Sequence, residues 1–159
     1  MNVYTYDNIS AVEYAKKWAF FRNPVYYNFD NIGGDCTNFV SQCVYSGCKV
    51  MNYTPILGWY YNSINDRAPA WSGVNEFYKF IINNKGVGPF GELSTYYQLK
   101  VGDVIQLFNG QKYYHTLIIT TILDGEIFTA SHTVDSFDRR LSSYKFVSAR
   151  YIKILGYRK

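Results

Sequence analysis

The chain has 159 residues, 48% apolar and 18% charged, a balance that fits one packed domain and excludes a disordered tail or two ordinary domains. Its net charge is +4, and seven Lys or Arg with no Asp or Glu fall between Arg139 and Lys159. Those basic residues are interleaved with Val, Ile, Tyr and Leu as on the solvated face of a terminal strand, and no nucleic-acid motif accompanies them, so nucleic acid is excluded as a partner.

In chain order, MNVYTYDNIS lacks the basic and apolar regions of a signal peptide, and no apolar run approaches membrane-spanning length. The chain as given is therefore expected without membrane insertion. It is either cytoplasmic, released by lysis, or trimmed from a longer secreted protein. Residues 8–22 predict a first helix, capped at Ser10 with Glu13 three residues on and ended by Asn23-Pro24. Its buried stripe is Val12, Ala15, Trp18 and Ala19. A second helix starts near Asp35, buries Phe39, Val40, Cys43 and Val44, and stops at Gly47. An aromatic loop follows at 50–72, then a third helix at 73–84 and a Gly-rich stretch at 86–91.

The second half reads as strands: 103–108, 112–123, 126–133 and 149–157, punctuated by Asn109-Gly110 and Asp124-Gly125, both hairpin signals. Helices first and an antiparallel sheet second give an α+β class in a single domain over residues 1–159, with no repeat and no linker. Aromatic side chains make up 19% of the chain, and serve either a stacking groove or an aromatic-rich core.

Chemistry concentrates in "NIGGDCTNFVSQCV", residues 31–44. Three cysteines at 36, 43 and 48 match neither a disulfide framework nor a zinc pattern, and two helical turns (~10 Å) hold Cys36 and Cys43 too far apart to bridge. Cys43 and Cys48 read as small core residues. Cys36 differs: at the first turn of a helix, free N–H groups and the dipole favour a thiolate. Gly33-Gly34 allows close backbone or substrate approach, and the Cys36 N–H can serve an oxyanion. A nucleophilic thiol needs a base and an orienter, and the chain has two histidines, His115 and His132. With Asp124 and Gly125 as the two turn residues, His115 pairs with Val134 and Leu117 with His132. The imidazoles then lie diagonally on one face while Asp135 points away; a bulge would invert that parity.

GGDCTNFVSQ, the Trp59-Tyr60-Tyr61-Asn62 run, the KVGDVIQL strand and the HT and SHT segments resemble the bacterial "putative amidase domain" family over about residues 8–150. That family is related to the papain-like NlpC-type and CHAP cell-wall hydrolases. The resemblance implies a papain-like fold, N-terminal helices on an antiparallel sheet, and hydrolysis of an amide or peptide bond in peptidoglycan, with no cofactor or metal. It implies Cys36 as nucleophile, His115 as general base and His132 as third residue, with Asp135 the rival. Asn31 stands where an upstream oxyanion donor would, Asp35 places negative charge at the helix start, and Trp59, Tyr60 and Tyr61 are expected to border the substrate. The domain is expected to act as a monomer.

Two other readings stay open: a catalytically idle wall-binding module, and an acyltransferase or transamidase using the same Cys-His pair. Metallohydrolase, phosphate-loop and glycosidase chemistry lack their parts: no third metal ligand or HExxH, no Lys-Ser/Thr after the glycines, no singled-out carboxylate pair.

Overall fold

The structure, a computed structural model, describes residues 1–159. Strand β1 is Val3–Tyr4 and helix α1 is Asn8–Trp18. The α1 cap is Asp7, three residues ahead of the expected Ser10: Asp7 Oδ1 accepts the Ser10 N–H at 2.9 Å, the geometry short carboxylates favour at helix starts. The helix ends at Trp18 and does not continue to Arg22, because the Trp18 carbonyl accepts from the Phe21 N–H and from a ring nitrogen of His132. Ala11, Ala15 and Ala19 form its fully buried stripe, small residues that let the backbone close on its neighbour.

Helix α2, Cys36–Cys48, is the centre of the molecule. Its first nine residues are all buried, so it is a helix wrapped on every side, as its poor amphipathicity requires. Gly47 lies inside α2, where a Cβ would stand 2.3 Å from the Tyr6 ring. The glycine marks a close approach, and the left-handed residue that ends the helix is Lys49.

The aromatic segment folds into a two-stranded ribbon, β2 (Tyr61–Ser63) with β3 (Asp66–Arg67), and a short helix α3 (Pro69–Ser72). Helix α4, Val74–Asn83, follows, and most of the Gly-rich stretch at 86–91 falls in strand β4, Gly88–Ser94. Then come β5 (Val104–Phe108), β6 (Tyr113–Leu123), β7 (Glu126–Ser131), β8 (Ser136–Arg140) and β9 (Ser148–Arg158). All pairings are antiparallel, in the order β9-β5-β6-β7-β8, with β4 and β1 also on β9. The domain is α+β. None of its helices is long and apolar enough to cross a membrane.

Each sheet face has its own core. Val104, Ile118, Ala130, Ile152 and Ile154 meet the helices, joining Phe39, Cys43, Trp59, Trp71 and Phe77. Ile105, Leu107, Leu117, Ile119 and Ile127 fill the opposite face under Leu99 and Leu141. The face toward α2 also carries polar clamps. The Thr37 and Thr116 hydroxyls meet at 2.8 Å, joining α2 to β6, and Gln106 Nε2 donates to both Thr116 Oγ1 and the Val74 carbonyl.

The Asp124-Gly125 hairpin begins as the sequence predicts, with Leu123 opposite Glu126, Ile122 opposite Ile127 and Thr121 opposite Phe128. Both turn residues have positive φ, as a type I′ turn demands. Then Thr120 bulges. Ile119 pairs with Thr129 and Ile118 with Ala130, one residue out of the simple register. The bulge is held by Asp138, whose Oδ1 accepts both the Thr120 and Thr121 hydroxyls at 2.7 and 2.9 Å. Beyond it the parity of the two histidines is reversed, and they no longer share a face.

Candidate active site

Strand β7 stops at Ser131, leaving residues 115–117 of β6 without a partner on that side. The start of α2 occupies the vacated corner. There the Thr116 backbone N–H faces the Cys36 sulfur, as do the Thr37 hydroxyl, 3.8 Å from Sγ, and the Thr37 N–H. The loop before it turns through Gly33 and Gly34, at φ +79° and +96°, and a Cβ on Gly34 would press on Thr133 Oγ1 at 3.2 Å. Thr133 itself has φ 87°, a costly conformation for a β-branched residue. Its hydroxyl accepts the Asp35 N–H at 3.1 Å, tying the loop after β7 to the helix start.

Cys36 and His115 line the same pocket, about 390 Å³, with Gly33, Gly34, Tyr114 and Thr133. Arg139, Ser143, Tyr144 and Lys145 also line it. A larger cleft of about 740 Å³ lies between the 52–57 loop and α4. It contains no cysteine or histidine, so thiol chemistry belongs to the smaller pocket.

Burial sets the electrostatics of the pair. It raises the Cys36 thiol above its ordinary value, against the opposing pull of the Thr116 N–H and the Thr37 hydroxyl and N–H. Burial, with the Arg139 charge beside it, lowers His115 to about 4. The resting pair is therefore a neutral thiol and a neutral imidazole. The helix-start preference for thiolate, at most about 1–2 kcal/mol, is outweighed by desolvation. His115 is the base form at neutral pH, ready to take a proton.

The same shift predicts a stability effect. Between pH 6.5 and 4 the unfolded chain binds a proton at His115 that the folded chain refuses, so stability falls as pH drops through that window and is fully retained above it. The expected loss is about 3 kcal/mol. Urea midpoints at pH 7 and pH 4 should differ by less in His115→Gln than in the native protein; identical pH slopes would contradict the shift.

His132 is not the orienter of His115. Its Nδ1 is hydrogen-bonded to Asp35 Oδ2 at 2.5 Å, and its Nε2–H donates to the Trp18 carbonyl at 2.8 Å. Its ring stacks on Phe39 at 4.0 Å and is 1% exposed. The physical cause is the Thr120 bulge, which turns it to the helix side. Asp135, the rival, pairs at the surface with Arg22, and the same guanidinium holds Asp30 and lies 3.6 Å from Asp35. His115 stands between the rings of Tyr114 and Tyr144, each 5.9 Å away.

The buried Asp35 carboxylate has three hydrogen-bond partners, with the Arg22 guanidinium close by. Besides His132 it takes the Phe29 N–H at 2.8 Å and Asn38 Nδ2 at 2.9 Å. It holds the residue before Cys36 in place and does not line the pocket. Asn31 is exposed in the preceding loop and also lies outside it. Trp59, Tyr60 and Tyr61 are likewise no part of the pocket. Trp59 is fully buried, donating Nε1–H to Ser41 Oγ at 3.0 Å and packing on Trp71. Tyr61 is buried beside Trp71 and accepts the Tyr27 N–H at its hydroxyl, while the Tyr60 ring packs tilted against Tyr53 at 5.1 Å. Indole and phenol rings bury more apolar area than any other side chain, and here that pull favours the core over a groove. The Cys36 N–H, at the first helical turn, has no acceptor in the protein and remains free for an oxyanion. All three cysteines are unbridged, with Cys43 and Cys48 in the core. The pocket residues that sequence reading passed over are Thr133, Arg139, Tyr144 and Lys145. Arg139 and Lys145 belong to the basic C-terminal stretch, whose alternation with apolar residues predicts a solvated face.

A cysteine at a helix start and a histidine on an antiparallel sheet, converging on one pocket, define the class of domain. The chain belongs to the family described as "Putative amidase domain", whose model matches residues 5–155 and whose description points to amide hydrolysis. Among curated proteins it is similar to "Uncharacterized protein YhbB" of Bacillus subtilis (strain 168), 32% identical over 120 residues, 73% of this chain and 37% of that protein. It is also similar to "Uncharacterized protein YjcM" of the same organism, 25% identical over 158 residues, 92% of this chain and 36% of that protein. The chain thus spans little more than a third of either relative's length. No solved structure matches it.

Proposed function

We propose that the domain is a papain-like cysteine amidase that cleaves an amide or peptide bond of peptidoglycan through a thioester. The observation that carries this reading is the shared pocket of Cys36 and His115 at the open corner of the sheet. In the proposed reaction the Cys36 sulfur attacks the substrate carbonyl carbon as its proton passes to a ring nitrogen of His115. The oxyanion meets the free N–H of Cys36. Collapse breaks the C–N bond, and the proton on His115 leaves with the amine. Water then attacks the thioester, His115 takes its proton, and the thiol is restored as the acid departs.

The neutral resting pair suits this order of events, because the base is unprotonated before substrate arrives. A Cys–His dyad suffices here, with Tyr114 and Tyr144 packed on the imidazole where a polar orienter was expected. Peptidoglycan as substrate places the work at the cell wall, reached by export or lysis, with the domain acting as a monomer.

The test is to digest purified sacculi and identify the fragments by mass spectrometry. New free amines paired with new carboxyl groups at one linkage are expected. Binding to the wall without any new terminus would instead make the domain a binding module.

A further inference from the structure

The pocket that Cys36 and His115 line also carries two cations and no carboxylate. Arg139 and Lys145 line it, and none of the eleven lining residues is Asp or Glu. Neighbouring guanidiniums are neutralised: Arg140 pairs with Glu126, and Arg22 with Asp30 and Asp135. Arg139 and Lys145 have no such partner among the ion pairs of the protein.

Arg139 is also held in a fixed pose. Its guanidinium lies 3.7 Å over the Tyr144 ring. Nε donates to Ser143 Oγ at 2.9 Å and Nη2 to the Ser143 carbonyl at 3.3 Å, which leaves Nη1 free of protein acceptors. The Tyr144 hydroxyl is fixed in turn by Ser131 and Ser136. Lys145 is anchored through its backbone, whose carbonyl accepts the Tyr114 hydroxyl at 2.8 Å. A stacked guanidinium with its outer nitrogen unspent is a pre-organised receptor for a planar anion.

We propose that the pocket selects acyl donors bearing a free carboxylate beside the scissile amide, recognised by Arg139 and Lys145. The proposal deepens the amidase reading and rests on it only for the identity of the bond cut. It adds a catalytic consequence. Arg139 depresses the basicity of His115, so a carboxylate seated on Arg139 screens that charge and strengthens the base as substrate binds.

Haloacetates test the recognition without needing the natural substrate. Iodoacetate and iodoacetamide both transfer a two-carbon group to the Cys36 sulfur, forming the S–C bond and releasing iodide while the thiol proton goes to His115 or water. They differ in carrying a carboxylate or a neutral amide. Rates are measured at Cys36 by peptide mass spectrometry and divided by those of free cysteine. The normalised iodoacetate-to-iodoacetamide ratio should exceed one by about tenfold at low salt and fall as salt rises. Arg139→Met should bring the ratio down several-fold and Lys145→Met should lower it further, while Arg139→Lys retains part of it. A ratio unchanged in both methionine variants overturns the proposal. In parallel, sacculi with free carboxylates are compared with sacculi whose carboxylates have been amidated by carbodiimide and ammonia; the native protein should cut the amidated wall at least tenfold more slowly. Sacculi left uncut in both forms would count against the peptidoglycan substrate alone, since the alkylation ratio still decides the carboxylate site.

Discussion

Cys36→Ala is expected to reduce turnover by roughly a millionfold, to what binding and the oxyanion site alone provide, and to leave the fold intact. The side chain removed is small, and the hydrogen bonds that place it come from its neighbours: Thr37 to Thr116, Asn38 to Asp35, Asp35 to Phe29 and Thr133. The melting temperature should therefore move by a few degrees at most. His115→Ala should lose nearly as much activity, because no second titratable group in the pocket accepts the thiol proton at neutral pH. Turnover surviving in Cys36→Ala would show that the thiol is a bystander in its own pocket.

His132→Ala is the second large effect, and it is a stability effect. Removing the ring takes a partner from the buried Asp35 carboxylate, leaves the Trp18 carbonyl with a weaker set of donors and opens a hole against Phe39. Breaking one side of such a buried pair costs about 3–5 kcal/mol, equivalent to a fall of about 10 °C in melting temperature for a domain of this size. Activity per folded molecule also falls, since Asp35 immediately precedes Cys36. The acid limb of kcat/KM, which reports His115, should nevertheless keep its midpoint. An orienter of His115 would behave in the opposite way, shifting the pH profile with little change in melting temperature. Both readouts come from one variant.

The contrast between these histidines shows what the sequence could and could not reveal. The thiol was legible because Gly-Gly-Asp-Cys at a helix start is a local signal, and His115 because a hairpin two turn residues long fixes its strand. The third role was lost at Thr120. A bulge of this kind needs no glycine and leaves no mark in the local pattern; it is held by Asp138, eighteen residues on, whose carboxylate collects two threonine hydroxyls. One inserted residue moves His132 to the helix side, where Asp35 and the end of α1 claim both its nitrogens.

Trp59 failed for a similar reason. An aromatic run in a loop looks the same whether it stacks on substrate or on Trp71, and the deciding partner, Ser41, lies on the central helix. Strand β8, Ser136–Arg140, was overlooked because it is a polar edge strand with one fully apolar position, too little alternation to read. Arg139 and Lys145 show the converse error. Their charge is visible, but only the tertiary fold brings the β8 edge and the following turn to the pocket that Cys36 lines.

The central claim is that Cys36 forms a covalent acyl intermediate on the way to amide cleavage. Acid quenching during steady-state digestion of sacculi, followed by peptide mapping, measures this directly. The account predicts a wall-derived acyl group on the peptide containing Cys36, removed by neutral hydroxylamine as a thioester must be, and absent from His115→Ala. Continued release of new amine termini with no adduct at Cys36, by protein whose Cys36 has been fully alkylated, would contradict it.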